Sequence, residues 1–231
     1  MRTPYNRRLF VVLLSAFLGW TGGAVGRMTG FRGPELVHAA PAQARQTRPV
    51  QVPTVQPQAV VPAPGNPVAL ISTSLGDMTV ELYKDRAPVS VENFLQYANE
   101  GFYNDTVFHR VRKGFMIQGG GYTTTLVEKP TRPPILNEAS EKLNNVRGTI
   151  AMARRQALRS ATSQFYINVV DNRALDHTGF SPDDFGYAVF GRVLSGMEVA
   201  DRIAAVPTTS KGDMEDVPID PVLIKGVRAV K

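Results

Sequence analysis

The sequence contains no cysteine, which removes disulfides, thiolate metal sites and a cysteine nucleophile from consideration. The compartment stays open, because an exported chain of this size folds without disulfides. Histidine is scarce as well. His38, His109 and His177 stand far apart and form no H-x-x-x-H pair, so a zinc site lacks ligands. Excess positive charge is missing from most of the chain, although the formal net charge is +6. Residues 1–67 hold seven arginines against the lone Glu35, and the remainder carries 19 charges of each sign. A nucleic-acid binder concentrates positive charge on its binding domain, so no nucleic-acid partner is expected. What is present is an ordinary globular composition. At 231 residues and 43% hydrophobic content the chain suits one or two domains with a buried core.

Its organisation is uneven. A basic start, MRTPYNRR, precedes the apolar run LFVVLLSAFLGW (9–20), the order of an export signal. Twelve residues are too few to cross a bilayer, for which about 20 are needed. Extension to Gly26 reaches the lower limit for a retained anchor. Small-residue cleavage sites lie at Gly22-Gly23-Ala24 and Ala42-Gln43-Ala44. Residues 1–26 therefore read as an export signal or a membrane anchor. The spaced prolines of RPVQVPTVQPQAVVPAPGNP (48–67) favour an extended polyproline spacer, and residues 27–67 are assigned to a disordered linker. The folded domain is expected over 68–231.

From Val68 the texture becomes that of short strands. VALISTSLGDMTVELY reads as two strands about a Leu75-Gly76 turn, with Met78, Val80 and Leu82 alternating against Thr79, Glu81 and Tyr83. SVENFLQYANEG reads as a helix capped by Ser90 and ended by Gly101. TVFHRV, FMIQGG, GTIAMA, SQFYINVV, YAVFGRV and the terminal PVLIKGVRAV continue the strand pattern. A second helix, SGMEVADRIAAV, opens on a Ser195–Glu198 capping box. Many short strands with two helices point to a closed barrel or a sandwich.

The stretch VFHRVRKGFMIQGGG (107–121) has the look of a site without the usual reagents. It carries an arginine and an amide among apolar residues, with no Ser, Cys or carboxylate. RSATSQF (159–165) and Asp176-His177 supply Ser, Asp and His, but the G-x-S-x-G elbow is missing. The three glycines lead into TTTLVEKP instead of a helix, and there is no G-K-[ST], so they read as a tight backbone path and not as a phosphate loop. His109 reads as a core or supporting residue. What remains is apolar surface with Arg110, Gln118 and Gln164. Arginine stays charged at working pH and donates hydrogen bonds without acting as a base. Rotation about a peptide bond needs just that. Its barrier of about 18–20 kcal/mol is amide resonance, and at Xaa-Pro bonds uncatalysed exchange takes tens to hundreds of seconds. An apolar pocket that excludes water, with a donor aimed at the proline nitrogen, stabilises the twisted state in which conjugation is lost.

FHRVRKGFMIQGGG, GTIAMARR, SATSQFYINVVDN and GYAVFGRVLSGMEVADRI resemble the cyclophilin family of peptidyl-prolyl isomerases, most closely its bacterial, often exported, branch. The resemblance runs from Val68 to Lys231. It implies a mainly β fold: an eight-stranded antiparallel closed β-barrel capped by two α-helices, with a peptide groove on its outer face. It implies that Arg110 is the catalytic arginine, that Phe115 and Met116 form the floor and wall of a proline pocket, and that Gln118 is the amide beside the arginine. Ala153 and Gln164 fall where the family contacts substrate backbone and groove, and Leu175 matches the pocket leucine. Tyr166 stands where many members have Phe, and Tyr187 where eukaryotic members have His. No cofactor or metal is implied. The expected partners are Xaa-Pro-containing polypeptides, met by a monomer in the periplasm or tethered to a membrane through residues 9–26. Ala174 departs from the family's groove aromatic, Lys113 replaces a common Pro beside Arg112, and RRQALR (154–159) is unusually basic. A non-catalytic peptide-binding or holdase module on the same barrel is the alternative.

Overall fold

The alternation in the sequence of β1 (Val68–Thr73) and β2 (Gly76–Leu82) becomes a hairpin in antiparallel register from Val68↔Glu81 to Thr73↔Gly76. The computed structural model describes residues 61–230. The expected signal or anchor at 1–26, and all but the last residues of the expected linker, lie outside them. Six further strands complete the main sheet: β3 (Thr106–Arg112), β4 (Met116–Thr123), β5 (Thr149–Met152), β6 (Phe165–Asn168), β7 (Val189–Ser195) and β10 (Leu223–Val230). They close as β1-β10-β3-β4-β6-β5-β7-β2, every pairing antiparallel. Closure, with no free edge strand, decides for the barrel over the sandwich.

An eight-stranded barrel has an interior just wide enough for side chains to fill. Here the filling is aromatic. Phe165 meets Phe94, Tyr103 and Phe108 edge-on, at ring separations of 5.5, 5.5 and 6.3 Å. The helices α1 (Pro88–Asn99) and α2 (Met197–Ala204) contribute Phe94 and Ile203 to the same buried cluster. Period-two alternation then sorts each strand. Ile117, Ile150, Met152, Phe165 and Ile167 belong to the interior cluster, whereas Met116, Ala151, Ala153 and Tyr166 form a second, separate one. That second cluster is the outer face of β4, β5 and β6.

Three local expectations need correction. Helix α1 begins two residues before Ser90, at Pro88, with Ala87 at its N-cap. Proline suits the first helical position, where its fixed φ is helical and its missing N–H is not needed. The free amides of Val89 and Ser90 are met from outside the helix by the Glu138 carboxylate, at 3.0 and 2.7 Å. Helix α2 has no Ser195–Glu198 capping box. Ser195 ends β7, and the cap is Gly196 in the left-handed region at φ 90. A side chain there would strike the Asp77 carbonyl. Finally, a hairpin absent from the strand reading, β8 (Thr208–Lys211) with β9 (Met214–Pro218), stands outside the barrel. Its first strand is fully exposed and carries no apolar alternation.

Glu81 lies on the face of β2 opposite Met78 and Val80, yet only 1% of it is exposed. Its carboxylate accepts from the Arg192 Nε at 2.8 Å, the Asn66 amide at 2.8 Å and the Ala63 N–H at 2.7 Å. The last residues before β1 are thereby fastened to the barrel. Burial pushes the Glu81 carboxyl up, but these donors outweigh it and hold it below its ordinary value.

Candidate active site

On the outer face, strand register sets the site. Arg110 of β3 pairs with Gln118 of β4, Gln118 with Tyr166 of β6, and Tyr166 with Ala151 of β5. One row across four strands thus brings a guanidinium, an amide and a phenol ring together. Two residues along the strands, the Ala153 N–H donates to the Gln164 carbonyl at 3.0 Å, and the Gln118 amide donates to the Gln164 Oε1 at 2.9 Å. The glycines after Gln118 keep the chain close: Gly120 has φ +82, and a Cβ on Gly121 would lie 2.5 Å from Gln164 Cγ.

Beside the row is an apolar cavity of about 90 Å³ lined by Arg110, Gln118, Phe115, Met116, Ala153, Arg154, Tyr166, Leu175 and Tyr187. Phe115 comes from the β3–β4 turn, and Leu175 from a short 3₁₀ turn, Arg173–Leu175. The Tyr187 N–H donates to the Leu175 carbonyl at 3.0 Å, and the ring meets Tyr166 edge-on at 5.9 Å. Eight of the nine expected site residues therefore line one cavity. The ninth, Gln164, borders a wider cleft of about 620 Å³ that shares Arg110, Gln118 and Ala153 with it. Exposed Ala174 lies on neither; it borders a third cavity of about 370 Å³.

A buried polar network underlies the floor. Tyr166 donates to Asn145 Oδ1 at 2.6 Å, Asn145 donates to the Leu175 carbonyl at 2.9 Å, and Asn172 donates to the Phe115 carbonyl at 2.8 Å. Asn168 links the two asparagines, donating to Asn145 at 3.2 Å and accepting from Asn172 at 2.7 Å. Three pocket positions are thus tied to one network, as buried polar groups must be satisfied. Burial pushes the Tyr166 hydroxyl well above its usual value, so it stays protonated and a donor.

The electrostatics match a reaction without proton transfer. Arg110 keeps 40% side-chain exposure, and its Nε lies 3.7 Å from Asp216 Oδ2, too far for a hydrogen bond. Its donors are free to face a ligand. His109, next in the chain, is 5% exposed with its ring against Tyr122 at 4.5 Å and its Nδ1 unpartnered. Burial, with a smaller push from Arg110, lowers its pKa to about 4. The imidazole is therefore neutral near pH 7, although His109 borders the wider cleft.

A family model described as cyclophilin type peptidyl-prolyl cis-trans isomerase/CLD matches residues 68–229. The chain belongs to the cyclophilin-type isomerases. It is 52% identical over 162 residues to peptidyl-prolyl cis-trans isomerase A of Dickeya dadantii, covering 70% of this chain and 84% of that protein. Identity to isomerase B of Escherichia coli is also 52%, over 155 residues, covering 67% and 94%. Among solved structures, a cyclophilin-type isomerase of Cryptosporidium parvum superposes with a TM-score of 0.59 at 26% identity, covering 72% of this chain and 98% of that one. The chain is accordingly a peptidyl-prolyl cis-trans isomerase.

The cyclophilin framework also disposes of the other candidates. Ser160 donates to the Ala157 carbonyl, and His177 Nδ1 meets the Phe185 carbonyl at 2.9 Å. Asp176 accepts from the Asn145 N–H at 2.6 Å. These three are occupied locally, the Ser163 Oγ is buried without a partner, and among the described residues no Ser–His–Asp chain forms. Among the described residues no three His, Asp or Glu side chains converge as metal ligands; His38 lies outside them. Sequence reasoning missed Asn145, Asn168, Asn172 and Asp216, and noted Arg154 only as part of the basic tract RRQALR. The asparagines sit in no chemical motif, and Asp216 reaches Arg110 only through the unforeseen hairpin.

Proposed function

We propose that the cleft accelerates rotation about Xaa-Pro bonds in folding or flexible polypeptides, with the proline ring in the 90 Å³ cavity and Arg110 donating to the proline nitrogen. The observation that carries this reading is the Arg110–Gln118–Tyr166 row, which sets a cation with free donors on the rim of an apolar cavity. Desolvation in the cavity disfavours the dipolar planar amide, and the guanidinium hydrogen bond stabilises the nitrogen lone pair as conjugation is lost. The Gln118–Gln164 amide pair and the Ala153 backbone hold the flanking chain. Support comes also from the Cryptosporidium parvum relative, which was solved in the presence of the dipeptide Ala-Pro. We place this activity outside the cytoplasm, in a monomer that is exported through, or tethered by, residues 9–26.

The experiment is a protease-free exchange assay, by NMR, on an Xaa-Pro peptide with the full chain and with Arg110→Ala. We expect kcat/KM to fall at least tenfold, about 1.4 kcal/mol, with the far-UV circular dichroism unchanged. Equal rates for the two proteins refute the mechanism.

A further inference from the structure

Arg154 follows Ala153 at the end of β5 and serves no part of the mechanism above, yet it borders all three cavities of the cleft. Its guanidinium faces backbone carbonyls. Nε donates to Gly186 at 3.0 Å, one terminal nitrogen to Pro182 at 2.8 Å, and the other to Arg155 at 3.1 Å and Gln156 at 3.0 Å. The group also lies 4.8 Å above the Tyr187 ring. Among the described residues no carboxylate comes within ion-pair distance of it, whereas neighbouring Arg155 reaches Glu128 at 3.4 Å.

We propose that Arg154 is a positioning residue for the isomerase reaction: its guanidinium fastens the 182–187 segment to the end of β5 and so holds Tyr187 as one wall of the proline cavity. The inference rests on the reading of that cavity given above. Residues 180–184 are exposed, and several of their other ties are local: Ser181 to Asp184, and the Thr178 and Gly179 amides to the Asp184 carbonyl. The Pro182 carbonyl is bound from outside the segment by Arg154. A planar fork with five donors reaches four carbonyls at once while stacking on a ring, and shares only the Gly186 carbonyl, with the Asn137 amide at 3.1 Å. Tyr187 is then held on one side by the guanidinium and on the other by the Tyr166 edge. A lysine in its place keeps the charge but not the fork.

The test is a double-mutant cycle in the full chain with a neutral Ala-Pro peptide, reading kcat and KM separately. Displacing a wall by about an ångström costs up to about a hundredfold, so we expect Arg154→Ala to lower kcat/KM by about tenfold. Arg154→Lys should not restore it. In a Tyr187→Ala background the Arg154 substitution should cost less than twofold, since its effect runs through that ring. Additive losses, full rescue by lysine, or wild-type kinetics for Arg154→Ala would each overturn the proposal. Should Arg154→Ala fail to fold, Arg154→Gln and Arg154→Lys carry the same cycle. Arg110→Ala and Tyr187→Ala, measured alongside, separate the two failures. If both leave exchange intact, the cavity reading falls; if both impair it and Arg154→Ala does not, only the role of Arg154 falls.

Discussion

Asn145 is 0% exposed, and its replacement by alanine tests whether the network beneath the floor holds the pocket. The substitution keeps the backbone N–H that binds Asp176 at 2.6 Å and removes the amide. Several former partners retain another bond. The Leu175 carbonyl still accepts from the Tyr187 N–H, and Asn168 still donates to Thr149 at 2.8 Å. The Tyr166 hydroxyl does not; its acceptor at 2.6 Å is gone, and the residue is 3% exposed. One orphaned buried hydroxyl costs about 1–3 kcal/mol, and each other lost bond roughly 0.5–1.5. The expected destabilisation is thus about 2–6 kcal/mol, and a companion Tyr166→Phe, which leaves Asn145 Oδ1 bonded to Asn168, should cost about 1. In the Tyr166→Phe background Asn145→Ala should be cheaper by the orphan penalty, a coupling of about 1–3 kcal/mol. Urea unfolding followed by circular dichroism reads all four proteins, and with m near 1–3 kcal/mol/M a 3 kcal/mol loss shifts the midpoint by about 1 M or more. A loss below about 1 kcal/mol, or strict additivity with Tyr166→Phe, refutes the reasoning.

Two further outcomes follow from the same side chains. His109 has a folded pKa of about 4 against 6.5 when unperturbed, so between those values the unfolded chain binds the extra proton. Stability should therefore fall as pH drops from 6.5 towards 4, at up to about 1.4 kcal/mol per unit. In His109→Phe that part of the slope should disappear from urea titrations across the range, and an unchanged slope would place the proton uptake elsewhere. At Gly121 a methyl group meets Gln164 Cγ at 2.5 Å, and the clash falls on a flexible side chain at the surface of the cleft. Gly121→Ala should displace the Gln164 amide from Gln118 and raise KM severalfold, with a change in unfolding free energy of about 1 kcal/mol or less. Wild-type KM would mean that the amide pair does not hold substrate.

The sequence by itself determined the eight barrel strands and the types of side chain on the outer face. Met78, Val80 and Leu82 alternate visibly, and in β6 the step from Phe165 to Tyr166 separates core from site. These are readable because a strand has a period of two and a barrel wall has only two sides. The blocks around Arg110, Ala153, Gln164 and Tyr187 likewise carry the family's pattern in the sequence itself. Where helices start was less legible, because Pro88 and the left-handed Gly196 outranked the serines that look like caps. The exposed strand β8 left no apolar trace, and its partner β9 offers only Met214 and Val217. Tertiary structure alone decided that Arg110, Tyr166, Leu175 and Tyr187, spread over more than seventy residues, border one cavity. It alone decided that Asn145 lies beneath that cavity and that Arg154 borders it. Arg154 meets backbone carbonyls, which every residue carries, and Asn145 meets the Leu175 carbonyl together with the distant side chains of Tyr166, Asn168 and Asp176. Hydrogen bonds to such groups are set by where distant segments pass each other, and no pattern in composition or spacing encodes that before the barrel closes.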